Sequence, residues 1–406
     1  PKSPYKCHRE TNNQHVYKYI LQHTNMGIHI LKKIEDWTRD CILVGDYILY
    51  LLLNQFKWKP FPKRIQKIIV VEELKIGDVL AATPVFEAIK RSYPQAQLDL
   101  LIDPVTEAVI KGNPSVHKVI PGTAARPFRE VLADIKKEQY DMGIILHNGS
   151  LKTSLLLLLG KVKYRVGCTK VGLFTGKGFF LNKKIWPTTK WQHKIDDNLD
   201  VIRQIGIQSA SRKIILPIKR EAEEKIEPLL RRKKRIVVVH TATKHQSNRW
   251  EEKKWVETAN KLLEDKEVTL FFTGTKEDHG AVTKILSGIN EQKRVQNLCG
   301  KTSFDELAAL IKRTDLLITV DTSIVHVASA YNTPIIALFG PTIPAFWGPT
   351  GKNSVVIWKE KEACVGCRRS FCVYNKNYEC MRKIAAEEVI QPAKSILAKK
   401  PSEYLE

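Results

Sequence analysis

From Ile65 onward the chain repeats one pattern: a short apolar run, a longer amphipathic stretch, then another apolar run. No other feature constrains the fold as much. Short runs buried on both faces are strands of a parallel sheet, and the amphipathic stretches between them are crossover helices. The pattern predicts strands at Lys67–Val71, Gln97–Ile102, Lys118–Ile120, Asp141–His147 and Lys163–Gly167. Helices are expected over Val79–Ser92, Pro104–Lys111, Phe128–Lys137, Ser150–Leu159 and Asp196–Ile205. Thr83-Pro84, inside the first of these, either kinks it or marks its start as N-cap and first residue. A highly charged stretch, Pro217–Lys234, interrupts the pattern, which then resumes. Its strands are Arg235–His240, Val268–Gly274, Val295–Cys299, Leu316–Val320 and Ile335–Phe339. Its helices are Trp250–Leu263, Glu277–Ile289, one opened by the capping-box spacing Ser303-x-x-Glu306, and Ile324–Tyr331. The fold class is therefore α/β, with two doubly wound domains in series facing a crevice that suits a large phosphorylated ligand. The expected boundaries are 65–216 and 235–385, with 217–234 as linker and 386–406 as a closing helix and tail. At 406 residues the chain exceeds what one core can organise.

Residues 1–64 obey a different rule. Pro1–His23 is polar, and the chain opens on Pro1 instead of Met, which suggests a truncated or processed start. From Gly27 the spacing turns helical and amphipathic, followed by the strongly apolar Cys41–Phe56, which Asp46 interrupts and basic residues flank. Two readings stand side by side: a helix lying in a membrane interface, or a helical hairpin packed on the rest of the protein or on a second subunit. The apolar run is too short for a spanning helix of about 20 residues.

Charge narrows the partners. Lys and Arg total 66 against 43 Asp and Glu, a net charge of +23. Such an excess faces something anionic: nucleic acid, a membrane surface or a phosphorylated substrate. The basic residues are scattered, and no aromatic-spaced basic ribbon favours nucleic acid. Four of the eight cysteines crowd one segment, Cys364, Cys367, Cys372 and Cys380, instead of spreading as a disulfide framework would. That usage points to a reducing compartment, the cytoplasm. The four thiols read either as ligands of a structural zinc or iron or as thiols acidified by neighbouring Arg368, Arg369 and Lys376.

The strand ends hold the candidate chemistry. Leu316–Val320 delivers Asp321-Thr322-Ser323 to the start of the Ile324–Tyr331 helix, where amides carrying partial positive charge suit a phosphate. Asp321 beside them would accept hydrogen bonds from sugar hydroxyls. Gly340-Pro341-Thr342 turns off the next strand. The loop after Arg235–His240 gathers Thr241, Thr243, Lys244, His245, Asn248 and Arg249, hydroxyls and cations fit for a diphosphate. His326, on the helix after Asp321, reads as a hydrogen-bonded core histidine or as part of the same site. In the first domain Gly77-Asp78 follows the first strand. Asp78 is either a proton acceptor or a simple helix cap.

Three stretches in register, KIGDVLAATPVFEAIKRSYP, HTATKHQSNRWEEKKW and VDTSIVHVASAYNTPIIALFGPT, resemble the ADP-heptose:lipopolysaccharide heptosyltransferase family, glycosyltransferase family nine. The resemblance spans roughly Ile65 to Leu397 and leaves the amino-terminal extension outside. It implies the two-Rossmann-domain (GT-B) fold and an inverting transfer of a sugar from a nucleotide diphosphate that needs no metal or other cofactor. Asp78 matches the family's general base, and Asp321 the residue that holds the donor sugar's hydroxyls. Thr322 and Ser323 match its phosphate-binding turn, while Thr243 and Arg249 fall in its donor-phosphate loop. Two departures are visible. Asn248 stands where members carry Lys two residues before the Trp, so Arg249 or Lys244 would supply the charge, and Ser323 stands where a Gly often follows Asp-Thr. In this fold the closing helix, Ala385–Lys399, commonly returns to the first domain. The expectation is a cytoplasmic enzyme on the inner face of the cytoplasmic membrane, moving heptose from ADP-heptose to a lipopolysaccharide core or related anionic glycan. The alternatives are another nucleotide sugar, a protein acceptor, or a noncatalytic metal-stabilised binder of nucleic acid. No nucleic acid is expected on the main reading.

Overall fold

A computed structural model describes residues 64–146, 151–168, 180–185, 192–209, 211–360, 366–367, 372 and 378–398. The expected membrane-facing segment within 1–63 lies outside these residues. No described helix is long and apolar enough to cross a membrane.

Each half is a six-stranded, all-parallel sheet. The first contains β1 Lys67–Glu72, β2 Gln97–Ile102, β3 Lys118–Pro121, β4 Met142–Ile145, β5 Tyr164–Cys168 and β6 Lys183–Ile185, in the order β3-β2-β1-β4-β5-β6. The second contains β7 Arg235–His240, β8 Val268–Thr273, β9 Val295–Asn297, β10 Leu316–Val320, β11 Ile335–Phe339 and β12 Ser354–Trp358, in the order β12-β11-β10-β7-β8-β9. The two orders are the same once each sheet is counted from its own first strand. Strand order reverses between β1 and β4 and between β7 and β10, and a crevice opens at the carboxyl ends there. The edge strands β6 and β12 were not expected from sequence. Val355–Trp358 is an apolar run that went unread, in a strand only partly buried, while β6 is three residues long with two lysines and shows no such run.

The first helix starts earlier than expected. It runs Ile76–Ser92 with Pro84 inside it, so Thr83-Pro84 is not its start. Proline leaves the Leu80 carbonyl without its usual amide donor. The Thr83 hydroxyl donates to that carbonyl instead, at 2.8 Å, and accepts from the Ile215 amide at 2.9 Å. The charged linker contains a helix of its own, Arg220–Leu230. It is tied to the Phe304–Lys312 helix by ion pairs of Glu223 with Lys312, Glu227 with Arg313 and Lys225 with Glu306. The capping box forms as expected, with Glu306 accepting from the Ser303 amide and Ser303 from the Glu306 amide. The closing helix, Glu387–Ala398, does not return to the first domain. Val389, Ile390, Ala393 and Leu397 bury into the core of the second, beside Trp255 and Leu262. Its apolar stripe matches the face of β10–β12 that is open next to it.

The two halves share one continuous apolar seam. Val79 and Val85 of the first helix lie in the same buried cluster as Ile324, Val325 and Ala328. Polar clasps flank it: Tyr331 donates to the Leu216 carbonyl at 2.8 Å, Lys219 pairs with Asp305 at 3.0 Å, and His193 Nε2 meets the Gly348 carbonyl at 3.0 Å.

Candidate active site

The seam brings the two strand-end loops against each other. Gly77, the second residue of the first helix, lies so close to the other domain that a Cβ there would sit 3.3 Å from His326 Cδ2 and 3.7 Å from Ser323 Cβ. A side chain at 77 would press into both, which accounts for the glycine. The residue after it is Asp78, half-buried in the first helical turn, where the N-terminal dipole favours its ionised form. Burial pushes the Asp78 carboxyl above the ordinary aspartate value. The Lys194 charge, then the Lys75 amide and the Lys75 charge, pull against that rise.

The second domain contributes a cradle of hydrogen bonds. Because β10 pairs with β7, Thr319 opposite His240, the loop leaving β7 lies beside the end of β10. In that loop Gln246–Asn248 forms a single 3-10 turn, and buried Asn248 donates its side-chain amide to the Asp321 carbonyl at 3.1 Å and carboxylate at 3.3 Å. Thr342, from the turn after β11, also bonds the Asp321 carboxylate. Burial raises the Asp321 carboxyl, and the bonds from Thr342 and Asn248, with the charge of His245, oppose it. Gly340 permits this closeness, since a Cβ there would meet Met381 at 2.8 Å and the Ser247 carbonyl at 3.2 Å. Thr322 accepts from the Ile324 amide at 3.4 Å through its hydroxyl and from the Val325 amide at 3.2 Å through its carbonyl, while the Ser323 side chain makes no capping bond, so the positive end of the helix dipole lies beside two hydroxyls.

The expected residues thus fall into three groups. Asn248, Asp321 and Thr342 are hydrogen-bonded together, with Thr322, Ser323 and Gly340 adjoining them. Thr241 and Thr243 are half-buried and Lys244 and Arg249 exposed on the loop after β7, where Thr243 Oγ1 accepts from the His245 amide at 3.2 Å. His326 is 2% exposed and sits within the seam, its ring centroid 6.3 Å from that of His193 and 5.8 Å from that of Trp347. Burial lowers His326 to about 3 and His193 to about 4, so both rings are neutral. His193 Nδ1 accepts from the Ile195 amide, which fixes the proton on Nε2, facing Gly348.

The expected four-thiol cluster is not assembled among the described residues. Cys364 lies outside them, Cys367 and Cys372 are half-buried, and Cys380 is 5% exposed within the second core. No group of three or more His, Cys, Asp or Glu among the described residues is placed to hold a metal ion.

Sequence reading missed Glu72 and Lys194. Glu72 ends β1 and is 1% exposed, and neither of its carboxyl oxygens has a hydrogen-bond partner among the described residues. The signal was present, since KIIVVE ends an apolar run on a charge. Lys194 is buried at the first turn of the Lys194–Arg203 helix, its ammonium donating to Asn198 at 2.8 Å.

The family model of glycosyltransferase family 9 (heptosyltransferase) matches residues 128–378. Lipopolysaccharide heptosyltransferase 3 of Escherichia coli is 27% identical over 336 residues, covering 79% of this chain and 95% of that protein. Lipopolysaccharide heptosyltransferase 2 of the same species is 25% identical over 312 residues, 72% of this chain and 87% of that one. Among solved structures, the family 9 glycosyl transferase from Veillonella parvula superposes with a TM-score of 0.71 at 23% identity, over 82% of this chain and 98% of that chain.

Proposed function

Since the chain belongs to glycosyltransferase family 9, the heptosyltransferase family, we propose that it transfers heptose from ADP-heptose to a lipopolysaccharide core or a related anionic glycan, with inversion. The observation that supports this reading is the contact of Gly77 with Ser323 and His326. Asp78 is the next residue after Gly77, and Ser323 opens the helix that follows Asp321, in keeping with a base on one lobe and a donor site on the other. The relatives named above, heptosyltransferases acting on lipopolysaccharide, motivate the choice of sugar and acceptor.

In the reaction the acceptor hydroxyl oxygen bonds to the anomeric carbon from the face opposite the nucleoside diphosphate. The bond from that carbon to the diphosphate oxygen breaks, and the hydroxyl proton passes to the Asp78 carboxylate. Asp321, oriented by Asn248 and Thr342, accepts hydrogen bonds from the sugar. The positive dipole end of Ile324–Tyr331, with the Thr322 and Ser323 hydroxyls, stabilises the growing diphosphate charge. Arg249 and Lys244 reach the same group from the rim, and Thr241 and Thr243 line the approach. No metal enters these steps. The enzyme works at the inner face of the cytoplasmic membrane, where the +23 charge meets an anionic acceptor and anionic lipid.

The test is a thermal-shift panel of nucleotide sugars, followed by assay of nucleoside diphosphate release with purified lipopolysaccharide core. ADP-heptose should raise the melting temperature most, because a ligand of the native state alone stabilises it in proportion to its affinity. A larger shift with a uridine or guanosine donor, and no release from ADP-heptose, would overturn the choice of substrate.

A further inference from the structure

Behind Asp78 the first lobe buries two groups that the reaction as written does not use. Successive residues of a strand point to opposite faces of the sheet. Along β1, Ile69 and Val71 pack with Val131, Ile135 and Leu157 on one face. Ile68 and Val70 pack with Val85, Ile195 and Leu199 on the other. Alternation puts Glu72 on the second face, beneath the Ile76–Ser92 and Lys194–Arg203 helices, and Lys194 is the first residue of the latter. Glu73, the next residue, is held elsewhere, accepting from the Thr123 amide at 2.6 Å. Glu72, Lys194 and Asp78 therefore form one electrostatic set: the charge of Lys194 acts on both carboxyls, and that of Asp78 acts on Glu72.

A buried carboxyl with no hydrogen-bond donor is stable only if it keeps its proton or faces a cation. With a single buried ammonium for two carboxyls, the neutral arrangement has one carboxyl ionised and one protonated. Asp78 is the half-buried member and also has the amide and charge of Lys75, so it takes the ionised place. Glu72 holds the proton, consistent with burial pushing its carboxyl up to about 8. His193 and His326, the nearby titratable groups of the seam, are neutral and add no charge.

We propose that Glu72 and Lys194 are a positioning couple that works through Asp78, Lys194 balancing the base while it is ionised and Glu72 balancing Lys194 once the base has taken a proton. The balance is explicit. When Asp78 accepts the acceptor's proton, the Lys194 charge no longer balances an ionised Asp78, and Glu72 becomes the group that ionises beside it, releasing its own proton toward solvent. One proton enters the set and one leaves. This rests on the reading of Asp78 as the base.

The experiment measures transfer from ADP-heptose to lipopolysaccharide core across pH, with the infrared carbonyl stretch of protonated carboxyl groups as a second readout. Glu72→Gln should lose a protonated-carboxyl band at neutral pH and the alkaline inflection near pH 8. Lys194→Met should move the acid limb of kcat up by about one pH unit or more, as loss of a nearby opposite charge does. Lys194→Arg should restore the limb. The double variant Glu72→Gln with Lys194→Met removes both buried ionisable groups and keeps the test open if Lys194→Met alone fails to fold; its acid limb should also lie above the native one. An unchanged pH profile in Glu72→Gln and Lys194→Met, or an unchanged infrared band in Glu72→Gln, overturns the proposal while Asp78→Asn is inactive. Activity surviving in Asp78→Asn instead overturns the reading of the base.

Discussion

The two sheets have the same strand order, yet their switch points carry opposite chemistry. At the end of β1 the chain buries charge: a carboxyl with no hydrogen-bond donor, an ammonium and a half-buried aspartate, with few bonds among them. At the ends of β7 and β10 it builds a hydrogen-bonded cradle, in which Asn248 and Thr342 orient Asp321 beside the start of the Ile324–Tyr331 helix. The first arrangement tunes a proton affinity, because charges in a dry site act strongly on one another. The second fixes the positions of donors and acceptors, which suits binding. Topology supplies two crevices of one kind, and the burial and polarity of a few residues make them chemically different.

The sharpest way to break this comparison is Asp78→Asn. It should lower kcat by about 10²–10⁴ with donor affinity unchanged, checked by single-turnover transfer. Asp321→Ala acts on the other lobe. It should weaken donor binding by about 1.5–3 kcal/mol, the worth of hydrogen bonds to a charged group, read as a dissociation constant. Next comes the seam that holds the lobes together. His193 is lowered to about 4 and His326 to about 3 from 6.5. The unfolded chain therefore binds protons below pH 6.5 that the folded one refuses, so stability falls as pH drops from 6.5 toward 4. At pH 5 the loss should be about 2 kcal/mol for each ring, measured by denaturant unfolding. Glu72 slopes the other way. Its folded carboxyl keeps a proton up to about 8 and its unfolded one releases it at 4.5, so its contribution is most favourable below 4.5 and declines as pH rises to 8. The smallest effect is expected from Gly77→Ala, whose methyl would press on His326 at 3.3 Å and cost about 1 kcal/mol of stability.

Most of the central architecture was legible because buried parallel strands announce themselves as apolar runs, as in Leu316–Val320 and Ile335–Phe339. The Ser303 capping box was legible for a local reason, since both of its bonds lie within four residues. What escaped depended on distant partners. Thr83 could not be read as a substitute donor for Pro84 without knowing that it also receives the Ile215 amide from far along the chain. The closing helix has an apolar stripe that fits either domain, and only packing against Trp255 and Leu262 decides between them. In the site, the loop residues and Asp321 stood out as polar groups after strands. The bond from Asn248 to Asp321 spans 73 residues and was not foreseeable. Glu72 looked like an ordinary strand-ending charge, and its meaning appears only beside Lys194.

The central claim is that the lobes divide the labour, the base on one side and the donor cradle on the other. Calorimetric titration of ADP-heptose into Asp78→Asn tests it most directly. The account predicts native donor affinity in a protein that no longer transfers sugar. Loss of donor binding in that variant, or transfer at the native rate, would contradict it.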